Sequence, residues 1–215
     1  MIRAIALDIG ETLTRDDRHY GSWADWLGVD RHTFSALVGA LVSQGRDNTD
    51  ALRLLRPGID VEAEYAAREA AGHGERLAEA DLYDDVRPAL AELQKLGIPV
   101  VAAGNQTPIA GRELRALKLP LDAVATSGEW GVAKPAAEFF TRVVGLAGVS
   151  DPQHVLYVGD HPQRDVFPAN AAGLKTAHLR RGPYGHLWAD APEVRAAADH
   201  SVNSLHDLVS IVADS

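Results

Sequence analysis

Three carboxylates and one lysine stand where this chain could do chemistry. Asp8 closes the apolar run Ile2 to Leu7 and opens the stretch Asp8-Ile9-Gly10-Glu11-Thr12-Leu13. Asp160 follows a later apolar run, in Gly159-Asp160-His161-Pro162-Gln163-Arg164-Asp165, where two carboxylates lie five residues apart across a turn that enters a helix. Carboxylate oxygens are hard ligands that suit magnesium, which takes one or two protein carboxylates and keeps several waters. The same residue types also end strands and cap helices without doing chemistry. Taken alone, Asp8 reads first as a turn residue and the Asp160 loop reads either way; a carboxylate from a second strand end strengthens the metal reading. Lys134, in Gly131-Val132-Ala133-Lys134-Pro135, is placed to neutralise carboxylate or phosphate charge, although most single lysines are merely solvated.

The elements that must position these residues alternate. Ile2 to Leu7, Val100 to Ala103 and Val155 to Val158 read as buried strands that each stop at polar residues. Ala123 to Thr126, Thr176 to Leu179 and His200 to Val202 are weaker strand candidates. Between the runs lie helical patterns at Val86 to Leu96, from Thr107-Pro108 to Leu117 and from Pro135 to Ala147, with proline suited to the first helical position. Such alternation predicts an α/β fold, a Rossmann-like parallel sheet flanked by helices, with ligands at the carboxyl ends of the strands. Arg15 to Tyr83 breaks the pattern. Phe34, Leu37, Val38, Leu41 and Val42 show helical spacing, and Val61 to Ala71 and Glu75 to Ala80 add helix-forming sequence. The expected organisation is therefore an α/β core of residues 1–14 and 84–215 with a small helical insertion at 15–83.

With 215 residues, 46% of them hydrophobic, the chain is long enough for one full core and a modest second unit. Net charge is -9, and Arg180-Arg181 is the only adjacent basic pair, which excludes the basic stripe that nucleic-acid binding needs. No stretch approaches the length that spans a bilayer, and the first apolar run is too short for a secretory segment. The absence of cysteine removes disulfide and thiolate chemistry. A cytoplasmic monomer or homodimer, away from membranes, is expected.

Taken together the motifs resemble the haloacid dehalogenase-like (HAD) hydrolase superfamily, in the branch that carries a helical cap after its first motif. The resemblance runs through Asp8 to Leu13, the strand end at Val100 to Asn105, Lys134-Pro135, and Gly159-Asp160 with Asp165; Leu82 to Pro88 is similar to that branch's return from cap to core. It implies a phosphatase acting on a small phosphorylated metabolite, with Asp8 as the nucleophile that forms an aspartyl-phosphate. It further implies Mg2+ held by Asp8, the carbonyl of Gly10, Asp160 and Asp165, a lysine, Lys134, holding the nucleophile and the phosphoryl group, and Gly104, Asn105 and Gln106 facing the substrate. By the same resemblance the cap chooses the substrate. Trp23, Trp26 and His32 are candidates there, though tryptophans at such spacing are more often packing residues. The Arg180 to Gly185 loop reads as architecture first and as a phosphate-facing rim second.

Two positions depart from the family pattern. Gly10 stands where phosphatases usually carry a second aspartate, and a lost general acid-base costs about 10² to 10⁴ in rate. Glu11 is a poor substitute, since neighbouring side chains on an extended backbone point in opposite directions; His161 is another proton carrier that would titrate near neutrality, with surface or capping roles the more common. Gly104 replaces the hydroxyl residue of the second motif, leaving backbone N–H groups of Asn105 and Gln106 as donors. Thr12 reads as a loop organiser. The alternatives are a 2-haloacid dehalogenase-type hydrolase, disfavoured by the retained Asp160 and Asp165, and a catalytically weak domain that binds a phosphorylated ligand or a protein. A phosphonate hydrolase is disfavoured because no lysine lies between Leu13 and Pro88.

Overall fold

In the structure, a computed structural model that describes residues 1–213, each apolar run becomes a strand. Strand β1 (Ala4–Leu7) leads into four helices, α1 (Asp17–Leu27), α2 (Arg31–Ser43), α3 (Asp50–Leu55) and α4 (Val61–Ala70). The chain then alternates through α5 (Val86–Lys95), β2 (Val100–Gly104), α6 (Pro108–Ala116), β3 (Ala123–Thr126), α7 (Ser127–Trp130), α8 (Ala137–Leu146), β4 (Val155–Gly159), α9 (Phe167–Ala171) and β5 (Lys175–Leu179). It closes with α10 (Gly182–Trp188), α11 (Pro192–Ala197), β6 (His200–Val202) and α12 (His206–Ala213).

The strands form one parallel sheet in the order β3-β2-β1-β4-β5-β6. Its two faces divide the strand residues by parity. Ile5 and Leu7, with Val100, Ala102, Leu156 and Val158, pack with Val86, Leu90 and Leu93 of α5 and Leu208 of α12. Ala4 and Ala6, with Val101, Ala103, Val155 and Tyr157, pack with Phe139, Phe140 and Val143 of α8. Burial on both faces is why these strands read as unbroken apolar runs rather than as alternating ones. Because β1 is flanked by β2 and β4, the strand order reverses beside β1, and in open sheets of this kind ligands bind at the strands' carboxyl ends beside such a reversal.

The weaker strand candidates all form, and Pro108 opens α6, where the Thr107 hydroxyl accepts from the N–H of Ala110 at 3.1 Å. Two expectations need correction. Helix α8 begins at Ala137, not Pro135, so Lys134 lies in a turn outside it. Glu75 to Ala80 is not helical: a single 3₁₀ turn at Glu79–Asp81 follows an irregular stretch. Tertiary ties override helix propensity here. Asp81 accepts from the N–H of Ala78 at 2.6 Å, its own carbonyl accepts from Arg15 N–H at 2.7 Å, and Leu82 bridges Thr14 antiparallel.

The chain divides into two compact units, one of Met1–Arg15 with the chain from Leu77 on, and one of Asp16–Arg76. The second holds its own core, in which Trp23, Phe34, Val38, Leu41 and Leu52 are buried. Trp23 meets Tyr65 edge-on at 4.9 Å and the Arg68 guanidinium at 3.9 Å, so it is spent on packing. Trp26 donates to Glu64 at 2.7 Å, and His32 is exposed. Among the described residues no helix is long and apolar enough to cross a membrane.

Candidate active site

The carboxyl ends of neighbouring strands bring the chemistry-bearing residues to one place. Asp8 follows β1, Asp160 follows β4, and Asp165 sits one turn further on in a π-turn at Pro162–Val166. One carboxylate oxygen from each lies within 4.8 Å of the others, and all three residues are buried. Lys134 reaches them from its turn. Its Nζ is 2.7 Å from Asp8 Oδ1 and 2.5 Å from Asp165 Oδ1. The other Asp165 oxygen accepts from the backbone N–H of His161 at 2.9 Å. This carboxylate lies so close under β4 that a Cβ on Gly159 would fall 2.3 Å from Oδ2. Only glycine at 159 leaves room for it.

One ammonium among three buried carboxylates leaves the cluster short of positive charge, and the proton affinities respond. Burial pushes Asp8 up to about 6, with Lys134 opposing and the Asp165 charge adding to the rise. Asp160 is raised well above the usual carboxylate range by burial first, then by Asp165, Asp8 and Glu11. Burial opposes the charge on Lys134, but Asp165 and Asp8 outweigh it and hold the ammonium well above its ordinary value. Asp160 Oδ2 is buried with no hydrogen-bond partner. An orphaned buried carboxyl oxygen beside two further carboxyl groups is the donor set that a hard divalent cation such as magnesium completes, so the residues present fit the metal that the sequence implied.

A stability measurement isolates this electrostatic load. The folded Asp8 value of about 6 exceeds the ordinary value of 3.8, so its contribution is fully present below about pH 4 and is lost as pH rises through 6. His161, pushed down to about 4 chiefly by burial, acts oppositely and loses its contribution as pH falls. Comparison with Asp8→Asn removes that background. In chelator-containing buffer, the stability of Asp8→Asn relative to the parent should grow by about 2 kcal/mol between pH 4.5 and 7.5 in denaturant unfolding. A gap that does not change with pH contradicts the buried, underneutralised Asp8.

The remaining expected residues fall into distinct places. Gly104 ends β2 against the nucleophile candidate: a Cβ there would lie 2.5 Å from Asp8 Oδ1 and 3.2 Å from the Ile9 backbone nitrogen. Asn105 faces Lys134, accepting its backbone N–H at 2.8 Å and donating to its carbonyl at 3.0 Å. The Gln106 carbonyl accepts from Gly128 N–H at 3.0 Å and from the Ser127 hydroxyl at 3.3 Å. Among the described residues, no backbone–backbone hydrogen bond outside the helices and ladders engages the N–H groups of Asn105 or Gln106. Gly10 lies in the loop between Asp8 and Thr14. Thr12 is fully buried and its carbonyl accepts from Arg181 at 2.7 Å, a loop-organising role. Arg181 also pairs with Asp85, so that arginine is architectural.

Both substitutes for the missing acid-base change character. Glu11 is not extended but left-handed, with φ of 51°, and its buried carboxylate accepts from the Tyr83 hydroxyl. The opposite-faces premise therefore does not apply; the Glu11 carboxylate points to Tyr83. His161 does not titrate near neutrality, because burial first, and then the charges of Arg164 and Lys134, push it down to about 4. It is a neutral ring packed between Tyr184 and Trp188 at 5.2 and 5.1 Å. Two further residues of the site escaped sequence reasoning. Tyr157 lies with its ring 5.7 Å from Lys134 Nζ and its hydroxyl on the Ala103 carbonyl at 2.8 Å, and His178 Nε2 bonds the Asp160 carbonyl at 3.0 Å. Both sit inside apolar strand runs, where the only sequence signal is a polar atom that burial obliges to find a partner.

Comparison with known proteins gives the family. Residues 2–173 match the family described as haloacid dehalogenase-like hydrolase. The chain is 33% identical over 138 residues to the glyceraldehyde 3-phosphate phosphatase of Methanopyrus kandleri, covering 62% of this chain and 58% of that protein. It is 32% identical over 157 residues to the phosphoserine phosphatase of Thermus thermophilus, covering 66% and 60%. The chain thus spans about 60% of the length of these relatives. Among solved structures, the HAD-hydrolase YfnB of Bacillus subtilis, bound to magnesium, superposes with a TM-score of 0.73 at 18% identity over 98% of both chains, a likeness of fold.

Proposed function

The chain belongs to the haloacid dehalogenase-like hydrolase family, and from that premise we propose that it is a magnesium-dependent phosphatase of a small phosphorylated metabolite, with Asp8 as nucleophile. The observation that carries this reading is the buried Asp8–Asp160–Asp165 cluster held by the Lys134 ammonium. Fold membership alone would leave the activity open. The phosphatases among its relatives point the same way, and the retained carboxylates favour phosphoryl transfer over carbon-halogen hydrolysis. The same reading gives the helical unit, residues 15–83 by the sequence division, the part of substrate-selecting cap.

In the proposed reaction an Asp8 oxygen attacks phosphorus, the bond from phosphorus to the ester oxygen breaks, and an aspartyl-phosphate forms. Water then attacks that phosphorus, restoring the carboxylate and releasing phosphate. Lys134 fixes Asp8 through Oδ1 and offsets part of the negative charge that gathers as phosphate enters. The backbone N–H groups of Asn105 and Gln106 donate to phosphoryl oxygens, in place of the hydroxyl that Gly104 lacks. Asp8, Asp160 and the Gly10 carbonyl would hold magnesium, with Asp165 beside them; when bound it supplies charge stabilisation and positioning. Neutral His161, side-chain-free Gly10 and a Glu11 carboxylate that accepts from the Tyr83 hydroxyl leave the departing oxygen without a protein proton donor. Acyl and aryl phosphates, whose leaving groups need little protonation, are therefore the preferred substrate class.

The test is phosphate release from a panel of acyl, aryl and alkyl phosphates with magnesium and with chelator. Magnesium-dependent release, highest for acyl or aryl phosphates, is expected; silence across the panel rejects the phosphatase reading. Gly104→Ala probes the crowded nucleophile. Because its Cβ would displace Asp8 Oδ1 from Lys134, kcat should fall by about tenfold or more, with the fold intact by circular dichroism. An unchanged or raised kcat would mean that Asp8 does not need that contact.

A further inference from the structure

We infer that the Asn105 side chain is a positioning residue for Lys134, its amide clamping both backbone polar groups of the lysine, rather than a ligand of the substrate. The inference rests on the phosphatase reading for its kinetic arm only.

Lys134 carries the ammonium that bridges Asp8 and Asp165, yet it sits in a turn between α7 and α8. No ladder or helix bond fixes it there. Among the described residues no backbone–backbone hydrogen bond reaches Lys134; the nearest runs from Ala136 N–H to the Ala133 carbonyl. Asn105 fills both gaps at once, with Oδ1 accepting the Lys134 N–H at 2.8 Å and Nδ2 donating to the Lys134 carbonyl at 3.0 Å. The pair spans 29 residues of sequence and mimics a step of a strand ladder. A lysine stem has several rotatable bonds, so the point from which it starts sets where its ammonium can rest.

Asn105 is itself anchored. It follows Gly104, which pairs with Thr126 in the β2–β3 ladder, and the next carbonyl, that of Gln106, is held by Gly128 and Ser127. The sheet end therefore hands its position to Lys134 through a single amide. Tyr157 adds a second reference, since its hydroxyl is tied to Ala103 of the same strand while its ring lies 5.7 Å from Nζ. Turning the Asn105 amide toward a substrate would orphan a donor and an acceptor of the residue that the site most needs to hold still. Its backbone N–H keeps the substrate-facing part.

Two variants and two readouts test the assignment. Asn105→Ala removes both bonds, and Asn105→Asp keeps the shape but sets an oxygen against the Lys134 carbonyl. Both should lower kcat by about 10- to 100-fold, the cost of misplacing a catalytic group by an ångström or so, with KM changed by less than about threefold. A raised KM with kcat unchanged marks a substrate ligand and overturns the inference, as does a fully active Asn105→Asp. Independently of any activity, hydrogen exchange followed by NMR should show the Lys134 amide losing at least about tenfold protection in Asn105→Ala while amides of β1 and β4 keep theirs. Unchanged protection at Lys134 overturns the clamp. If the parent chain hydrolyses no phosphate ester, the phosphatase reading fails by itself and the exchange arm still decides the role of Asn105.

Discussion

Asp8→Asn is expected to lower kcat for magnesium-dependent phosphate release by about 10⁴-fold or more, the largest kinetic effect of any single change in this chain. Asparagine keeps the volume and hydrogen-bonding outline of the side chain, so the β1 end and its neighbours need not move. It loses the negative oxygen that attacks phosphorus and one of the three charges that make the cluster attractive to a divalent cation. The variant also carries its own control for folding. Because burial holds Asp8 at about 6 against its will to ionise, removing the charge should stabilise the chelated protein at pH 7.5. A dead enzyme that is more stable than its parent cannot be explained by unfolding. Rates measured on the best substrate of the panel, together with quench-trapping of phosphorylated protein in the parent but not the variant, check the claim. Residual kcat within tenfold of the parent would remove Asp8 from the nucleophile's place.

How much of this was legible in the sequence depends on the range over which each residue finds its partners. Asp8 and Asp160 were legible because a strand buried on both faces is an unbroken apolar run, and the residue after it must sit at the sheet's edge; Leu7 to Asp8 and Gly159 to Asp160 mark that edge directly. Lys134 was legible through its motif, although the helix after it begins two residues later than Pro135 suggested. What escaped are roles set by distant partners. The Asn105 amide could be seen as polar and near the site, but its engagement with Lys134 is a contact across 29 residues. Glu11 looked extended, whereas its left-handed backbone and its bond to Tyr83, 72 residues away, are products of the folded loop. His161 looked like a neutral-pH titrant because its type suggests that, and only burial among Tyr184 and Trp188 removes it from the range. Glu75 to Ala80 failed for the same reason in the backbone: local propensity favoured a helix, and ties from Arg15, Thr14 and Asp81 drew the segment into another shape.

Lys134→Met is expected to produce the largest change in stability, and its sign should depend on what neutralises the carboxylates. Methionine replaces the lysine stem with a side chain of similar shape, so lost packing is small. The ammonium itself is nearly inaccessible and contacts Asp8 and Asp165 at 2.7 and 2.5 Å. Taking one partner out of such a buried group leaves uncompensated charge, at a cost of about 3–5 kcal/mol. At pH 7.5 with chelator the variant should therefore be strongly destabilised. Lowering the pH to 5 should recover part of the loss, since the carboxylates whose affinities for protons are already raised by burial take up protons instead of remaining charged. Magnesium at pH 7.5 should recover part of it by a different route, binding the folded state alone. Catalysis should not return with stability, because the cation restores charge balance but not the contact that fixes Asp8 Oδ1. Denaturant unfolding under the three conditions, read beside kcat, separates these terms. Equal stability of Lys134→Met and its parent at pH 7.5 in chelator would show that the cluster is not held by its ammonium, and the electrostatic account of the site would fall with it.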